Sequence, residues 1–423
     1  MDRNRYRPRL IDSRLDLYLR TFPAVVVEGP KWCGKTWTAT LHAKSEYLVG
    51  DPADNFANRA LAELDVNKAL EGGSPHLIDE WQEVPGIWDA VRFDADRTGD
   101  KGRFILTGSS TPKRKGVLHS GTGRIASIAM HPMSLQESGN SACVVSLESV
   151  CRGEEIGVLK VESPSVEELA ELAVRGGWPG ALELPFDQAV LVPAEYVENV
   201  INVDMNHLDG IERDPVKVRK CLKSLARNES TTVTTATIRE DIAEVDDMSL
   251  GINTVSSYIG AFKRLFLTHD TEPFSTFLRS PSRVKQTPKR RFCDPSIAAA
   301  LLGATPRMLM KDLRTFGFLF ESLVVRDLEI YAESFGAKLY HYQDYDGGEI
   351  DAVLQFPDGE WSAFEVKLNP NQVDDAAAAL VALTAKFVRH PPRSLAVVVG
   401  KSGIAYRRKE DGVYVLPITA LKA

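Results

Sequence analysis

The stretch that most narrows what this chain can fold into is AVVVEGPKWCGKTWTATLHAK, residues 24–44. A β-branched run ends at Gly29, the pattern GxxxxGKT runs from Gly29 to Thr36, and a helix-compatible segment follows. A strand that turns into a helix through two glycines can curl backbone N–H groups around a phosphate, and the helix N-terminus adds the positive end of its dipole. Gly29, Pro30, Lys31, Trp32, Cys33, Gly34, Lys35 and Thr36 are therefore the expected phosphate cradle. Lys35 is expected to reach the β- and γ-phosphates of ATP, and the Thr36 hydroxyl to sit on Mg²⁺. Trp32 and Cys33 carry no essential side-chain role in such a cradle. Cys33 lies near a helix N-terminus, which leaves it either a reactive thiol or a silent one.

The strands that accompany this loop set the fold. AVVVEG, EYLVGDP, PHLIDE, RFILTGSS and RIASIAMHP alternate with helical patterns over the first ~135 residues, as expected of a mostly parallel sheet covered on both faces. In HLIDEW the apolar run ends in Asp79-Glu80, at the strand end where open α/β sheets bind ligands. Asp79 is expected to hold Mg²⁺ through water, and Glu80 to orient or deprotonate the attacking water. Thr107 and Ser109, at the end of FILTGSS, are placed to bond a γ-phosphate or that water, although a plain turn uses the same residues. Arg124 in GTGR is open to two readings, an arginine finger toward a neighbouring subunit or an ordinary surface arginine.

Taken in order, RYRPRLID, GPKWCGKT, HLIDEW, LTGSS, GR…MHPMS and GGWPG resemble prokaryotic AAA-type ATPases of unknown function. In that group a conserved C-terminal domain, also of unknown function, follows the ATPase. The resemblance spans nearly the whole chain and implies ATP binding through Gly29–Thr36 and Asp79-Glu80.

Composition excludes some other classes. The chain has 423 residues, a formal net charge of −7, and no run of 18 apolar residues to span a membrane. Its first twenty residues are charged throughout and lack a signal-peptide core. Five cysteines without metal-ligand spacing do not make a disulfide framework, so a reducing cytoplasm is the expected setting. Net acidity argues against broad nucleic-acid binding, so any DNA contact has to be local.

One segment offers such a contact. ATIREDIAEV, NTVSSYIGAFKRLF, THDTEPF and KRRFC read as the helices and strands of a winged helix. Asn253, Thr254, Ser256 and Ser257 would enter a major groove, with Lys263 and Arg264 at the far end of the helix. Arg283, Lys285, Lys289, Arg290 and Arg291, in the basic stretch 281–291, would meet phosphates. Ile259, Phe262, Leu265 and Phe266 have the spacing of a core face.

Near the end, GGEIDAVLQFPDGEWSAFEVK reads as a hairpin whose Pro-Asp-Gly loop pairs residue 356 with 360. That register sets Asp351 opposite Glu365 and Glu349 opposite Lys367. Alternation puts Glu349, Asp351, Val353 and Gln355 on one face with Trp361, Ala363, Glu365 and Lys367, and Ile350 on the other. Asp351 and Glu365 suit Mg²⁺, Lys367 would steady a phosphodiester or its attacking water, and Glu321 would add a carboxylate. The pattern E…(E)xD…ExK resembles the PD-(D/E)XK nuclease superfamily over roughly residues 316–400. An amphipathic hairpin with cross-strand ion pairs is the plainer alternative, but it gives no reason for Asp351 to face Glu365.

The expected architecture is α/β. It consists of a P-loop AAA-type parallel-sheet domain (1–140), a helical linker or lid (141–205), a winged-helix domain (206–305) and a nuclease-like mixed α/β domain (306–423). Three functions stand beside one another: a Mg²⁺-dependent ATP hydrolase coupling nucleotide state to DNA, an ATP-regulated DNA nuclease, and a non-catalytic nucleotide-gated regulator. Catalytic expectations rest on Lys35, Glu80, Asp351, Glu365 and Lys367. A homo-oligomer is a further expectation.

Overall fold

The computed structural model describes residues 5–110, 121–245, 250–276 and 287–423. Packing divides the chain into two compact units. The first comprises Met1–Pro132, Val203–Glu212 and Ala261–Leu267; the second comprises Met133–Asn202, Arg213–Gly260 and Thr268–Ala423.

The first unit is built on five parallel strands, β1 (Ala24–Glu28), β2 (Ser45–Leu48), β3 (His76–Asp79), β4 (Phe104–Gly108) and β5 (Ile125–Ala129), in the order β2-β3-β4-β1-β5. All five coincide with the strands expected from sequence. Side chains of β1 alternate between two cores: Val25 and Val27 pack with Leu77, Ile105 and Leu15, whereas Ala24 and Val26 pack with Ile78, Leu106 and Val91. Two covered faces explain why these strands read as nearly continuous apolar runs. Helix α1 (Ile11–Thr21) buries Leu15 and Leu19 on one side, and α2 (Gly86–Thr98) buries Ile87 and Val91 on the other.

Register then places the polar ends. Glu28 lies beside Gly108, Leu48 beside Asp79, and Ile78 beside Leu106. Every strand therefore delivers its C-terminal residue to one edge of the sheet. Gly29, Asp79-Glu80 and Thr107–Ser109 all emerge there.

The second unit holds a seven-stranded mixed sheet of β6 (Leu159–Lys160), β7 (Lys338–Gln343), β8 (Glu349–Gln355), β9 (Trp361–Lys367), β10 (Ser394–Val399), β11 (Ile404–Arg407) and β12 (Tyr414–Pro417). Their order is β6-β11-β12-β10-β9-β8-β7. Residues of the 141–205 stretch take part in this unit: β6 pairs with β11, and Val145–Ser146 pairs with Leu421–Lys422. That stretch is built into the C-terminal fold through strands as well as helices.

Helices Pro215–Arg227, Thr235–Val245 and Ile252–Arg264 are accompanied by antiparallel bridges, one from Thr231, between the first two helices, to Arg290, and two from Thr268 to Phe292 and Thr271 to Lys289. Ile259, Phe262 and Leu265 are buried as their spacing required; Phe266, expected on the same face, lies past the helix end at φ 55° and is only partly buried; Asn253, Ser256 and Ser257 are exposed. The GGWPG break has a packing cause. A Cβ on Gly177 would lie 2.1 Å from the Met133 carbonyl oxygen, and Trp178 is fully buried with its indole N–H donating to Ser296 Oγ at 2.9 Å. A three-charge network lies alongside. Arg326 donates to Asp294 at 2.6 Å and to Asp327 at 2.7 Å, with Arg326 almost and both acids wholly buried.

Candidate functional site

The loop after β1 has the conformation its glycines allow. Gly34 sits at φ 105°, in the left-handed region, and caps the helix Lys35–His42. Gly29 is fixed by space, because a Cβ there would meet the Met130 carbonyl oxygen at 2.2 Å. Trp32, without a glycine's freedom, is also held left-handed at φ 64° and is half exposed.

Lys35 is buried and donates to the loop's own carbonyls, Gly29 O at 3.0 Å and Pro30 O at 2.7 Å. The Thr36 hydroxyl donates to Asp79 Oδ1 at 2.9 Å, and Thr107 Oγ1 donates to the same oxygen. The Glu80 N–H donates back to Thr107 Oγ1 at 3.2 Å. Glu80 itself, left-handed at φ 55°, accepts from Ser109 Oγ at 2.9 Å and from Gln82. The structure thus brings Lys35, Thr36, Asp79, Glu80, Thr107 and Ser109 together. Thr107 and Ser109 direct their hydroxyl protons at the acid pair.

Burial pushes Asp79 above the usual carboxylate range, and the neighbouring Glu80 charge adds to this; hydrogen bonds from Thr107 and Thr36 and the charge of Lys35 oppose it. A partly buried carboxylate beside a hydroxyl is an oxygen-only donor set suited to a hard cation such as Mg²⁺.

Other expected loop residues have different duties. Lys31 turns its ammonium to Asp204 Oδ1 at 2.6 Å, so its side chain serves an ion pair and only its backbone can serve the cradle. Cys33 is fully buried with its thiol 3.6 Å from the Met130 carbonyl, the placement of a silent thiol. Arg124 pairs with Asp96 at 2.6 Å within its own chain. Arg9 was missed as a contributor. It is buried behind the loop, with Nη1 on the Cys33 carbonyl and Nη2 on the His131 carbonyl, each at 2.7 Å. Its only sequence signal was a place in RYRPRLID.

The C-terminal hairpin keeps the expected register next to its turn, and its ladder ends before the expected pairs of Asp351 with Glu365 and Glu349 with Lys367. Trp361 pairs with Gln355 and Phe364 with Ala352, the Phe356 N–H donates to the Glu360 carbonyl at 2.8 Å, and Gly359 takes φ 93°. The expected division of faces needs correction at one point. Tyr340 pairs with Val353 but Tyr342 with Ile350, which leaves an extra residue in β8 at Asp351-Ala352. This bulge returns Ile350 to the cluster that holds Val353, Trp361 and Ala363. It also lets Asp351 Oδ2 accept the Val366 N–H at 2.9 Å.

The centre of the carboxylate group holds a residue assigned elsewhere by sequence. Lys289 Nζ lies 2.6 Å from Glu321, 2.7 Å from Glu349 and 3.4 Å from Asp351. Lys367 pairs with Glu365 at 2.7 Å. Burial raises Glu321 to about 8 against the pull of Lys289, and it raises Glu365 to about 7 with the Asp351 charge adding to it.

The expectation that the basic stretch meets DNA phosphates is corrected for three of its members. Lys289 is buried among those carboxylates, Arg290 bonds Asp270, and Arg291 is buried against Thr271 and Glu329. Folding spends these charges on internal acids. Arg283 and Lys285 lie outside the described residues.

Comparison with known family models matches three stretches of the chain. Residues 21–139 match a family model described as an AAA domain. Residues 166–308 and 316–421 match two domains of unknown function, DUF8612 and DUF4143. The chain is similar to the uncharacterized proteins Rv2008c of Mycobacterium tuberculosis and Mb2031c of Mycobacterium bovis, at 22% identity over 360 residues in each case, covering 84% of this chain and 72% of the relative. Among solved structures it is similar to the Walker-type ATPase PABY2304 of Pyrococcus abyssi (15% identity, TM-score 0.44, 70% of this chain and 96% of that one). It is also similar to the Aeropyrum pernix ORC1 protein in complex with DNA (12% identity, TM-score 0.28, 69% and 92%). The N-terminal part is thus a P-loop domain of AAA type in a mixed α/β chain. Among the described residues no helix is long and apolar enough to cross a membrane.

Proposed function

We propose that the chain binds ATP with Mg²⁺ at Gly29–Thr36 and hydrolyses it by in-line attack of water on the γ-phosphate. The observation that carries this is the bond from Thr36 to Asp79, which joins the phosphate loop to the acid strand beside a buried Lys35. Lys35 exchanges its two carbonyl partners for β- and γ-phosphate oxygens and neutralises charge there. Thr36 and Asp79 would hold Mg²⁺, which supplies further positive charge to the phosphates. Glu80, steadied by Ser109 and Gln82, orients the attacking water and takes its proton.

The test is phosphate release by the full chain and its variants. Lys35→Ala should lose tight ATP binding and turnover together, and Glu80→Gln should keep binding and lose about 10²-fold or more in turnover. Lys35→Ala turnover at the parent rate would overturn the proposal.

A second reading concerns residues 206–305. The exposed Asn253, Ser256 and Ser257 on one helix, followed by antiparallel bridges, favour a winged helix able to enter a DNA groove. DNA affinity that changes with ATP, and that falls in Asn253→Ala, supports this coupling. Equal affinity in parent and variant, with and without nucleotide, removes it.

A further inference from the structure

Lys289 is drawn into the carboxylate cluster by its backbone. Its N–H donates to the Thr271 carbonyl and its carbonyl accepts the Thr271 N–H, each at 2.9 Å. The next residue, Arg290, donates to the Thr231 carbonyl at 2.7 Å, and its own carbonyl accepts from Ser230 at 2.8 Å. The strand is therefore held from both sides. Its lysine enters the C-terminal sheet at the point where the β8 bulge re-aims Asp351.

An ammonium within 2.6–3.4 Å of three carboxylates, Glu321 on the helix Leu313–Ser334 and Glu349 and Asp351 on β8, has the ligand set of a bound cation. It is also nearly fully buried, and leaving either partner unpaired there is costly. With Glu365 and Lys367 included, four carboxylates face two ammoniums. Burial holds Glu321 and Glu365 up at about 8 and about 7, so near neutral pH the two ammoniums meet the charge the cluster carries. His341, wholly buried and held neutral by burial and the Lys289 charge, adds no third cation.

We propose that Lys289 is a built-in counter-cation that fills the cation position among Glu321, Glu349 and Asp351 and thereby keeps a divalent metal ion out of this cluster. Lys289 thereby plugs an otherwise metal-competent site. This proposal does not depend on nucleotide chemistry at Gly29–Thr36.

Calorimetric titration with Mn²⁺ tests it on the full chain, in an Asp79→Asn background without nucleotide so that the phosphate loop contributes no metal site. The background protein should show no Mn²⁺ binding that depends on Asp351. Adding Lys289→Met should create one site, at least tenfold tighter than any Asp351-dependent binding before it, and Asp351→Asn should abolish that site. Mn²⁺ should raise the melting temperature of the Lys289→Met protein and leave that of the background unchanged. If Lys289→Met alone fails to fold, Lys289→Gln, which keeps a neutral hydrogen-bonding group among the carboxylates and leaves all of them in place, carries the same test. Asp351-dependent Mn²⁺ binding of equal strength with Lys289 in place, or a folded variant that gains no site, would overturn the proposal.

Discussion

Thr36 Oγ1 donates to Asp79 Oδ1 at 2.9 Å, a bond between residues 43 positions apart in the chain. It exists because parallel register brings β1 and β3 to the same edge of the sheet, with β4 between them supplying Thr107 to the same carboxylate. Asp79 is raised by burial, so the site disfavours an uncompensated charge and favours one met by a cation.

Removing that charge gives the first prediction. Asp79→Asn keeps the shape and the Thr36 contact but takes away the anionic oxygen. Mg²⁺-dependent tightening of ATP binding should fall about 10–100-fold, while binding measured in EDTA should stay near the parent value. Titration of a fluorescent ATP analogue with and without Mg²⁺ reads both, and an unchanged Mg²⁺ effect would remove Asp79 from the metal site.

Gly29→Ala tests the loop's close approach. The added methyl would lie 2.2 Å from the Met130 carbonyl oxygen, which is backbone and cannot swing aside. Either the loop or the chain after β5 has to shift, at a cost of about 1–3 kcal/mol by analogy with overpacked cores. ATP affinity should drop more than stability does. A variant with parent affinity and parent melting temperature would show that neither the loop nor the fold relies on this close approach.

How much of this was legible in the sequence varies with how local the determinants are. The phosphate loop was readable because its eight residues are contiguous and its glycines carry the geometry. The hairpin register next to the turn was readable because a three-residue loop fixes the pairs from Gln355–Trp361 to Ala352–Phe364, and Gly359 at φ 93° meets that requirement. The bulge at Asp351 was not readable, since it arises from pairing with the neighbouring strand Lys338–Gln343. Lys289 shows the larger limit. A run of cations looks solvated on the page, but the carboxylates that claim Lys289 include Asp351, 62 residues away. Sequence gives each charge and leaves out its partner.

The Arg326 network gives a stability prediction. Arg326 is the cation that Asp294 and Asp327 share, and those acids also accept the Gly177 and Leu135 N–H groups. Arg326→Met leaves both acids buried without their counter-charge, a loss of about 3–5 kcal/mol. Hydrogen exchange should speed up across Pro295–Leu302 and Leu313–Ser334, while the sheet of the first unit is affected less. Unchanged exchange in both helices would mean the network contributes little.

The last prediction concerns pH. Glu229 is nearly fully buried, accepts the Phe292 N–H at 3.2 Å on both oxygens and the Ser322 hydroxyl at 2.6 Å, and burial still raises it to about 8. In the unfolded chain a glutamate titrates near about 4.3. Between those values the folded protein holds a proton that the unfolded chain has released. Its contribution to stability is therefore fully present below about pH 4.3 and is lost as pH rises through about 8. Glu229→Gln keeps a neutral hydrogen-bonding group that does not titrate. Urea unfolding of parent and variant at pH 5, 7 and 9 should show the parent losing stability relative to the variant as pH rises, by on the order of 1–4 kcal/mol across the range. Parallel pH profiles for the two proteins would show that Glu229 is ionised in the folded state throughout.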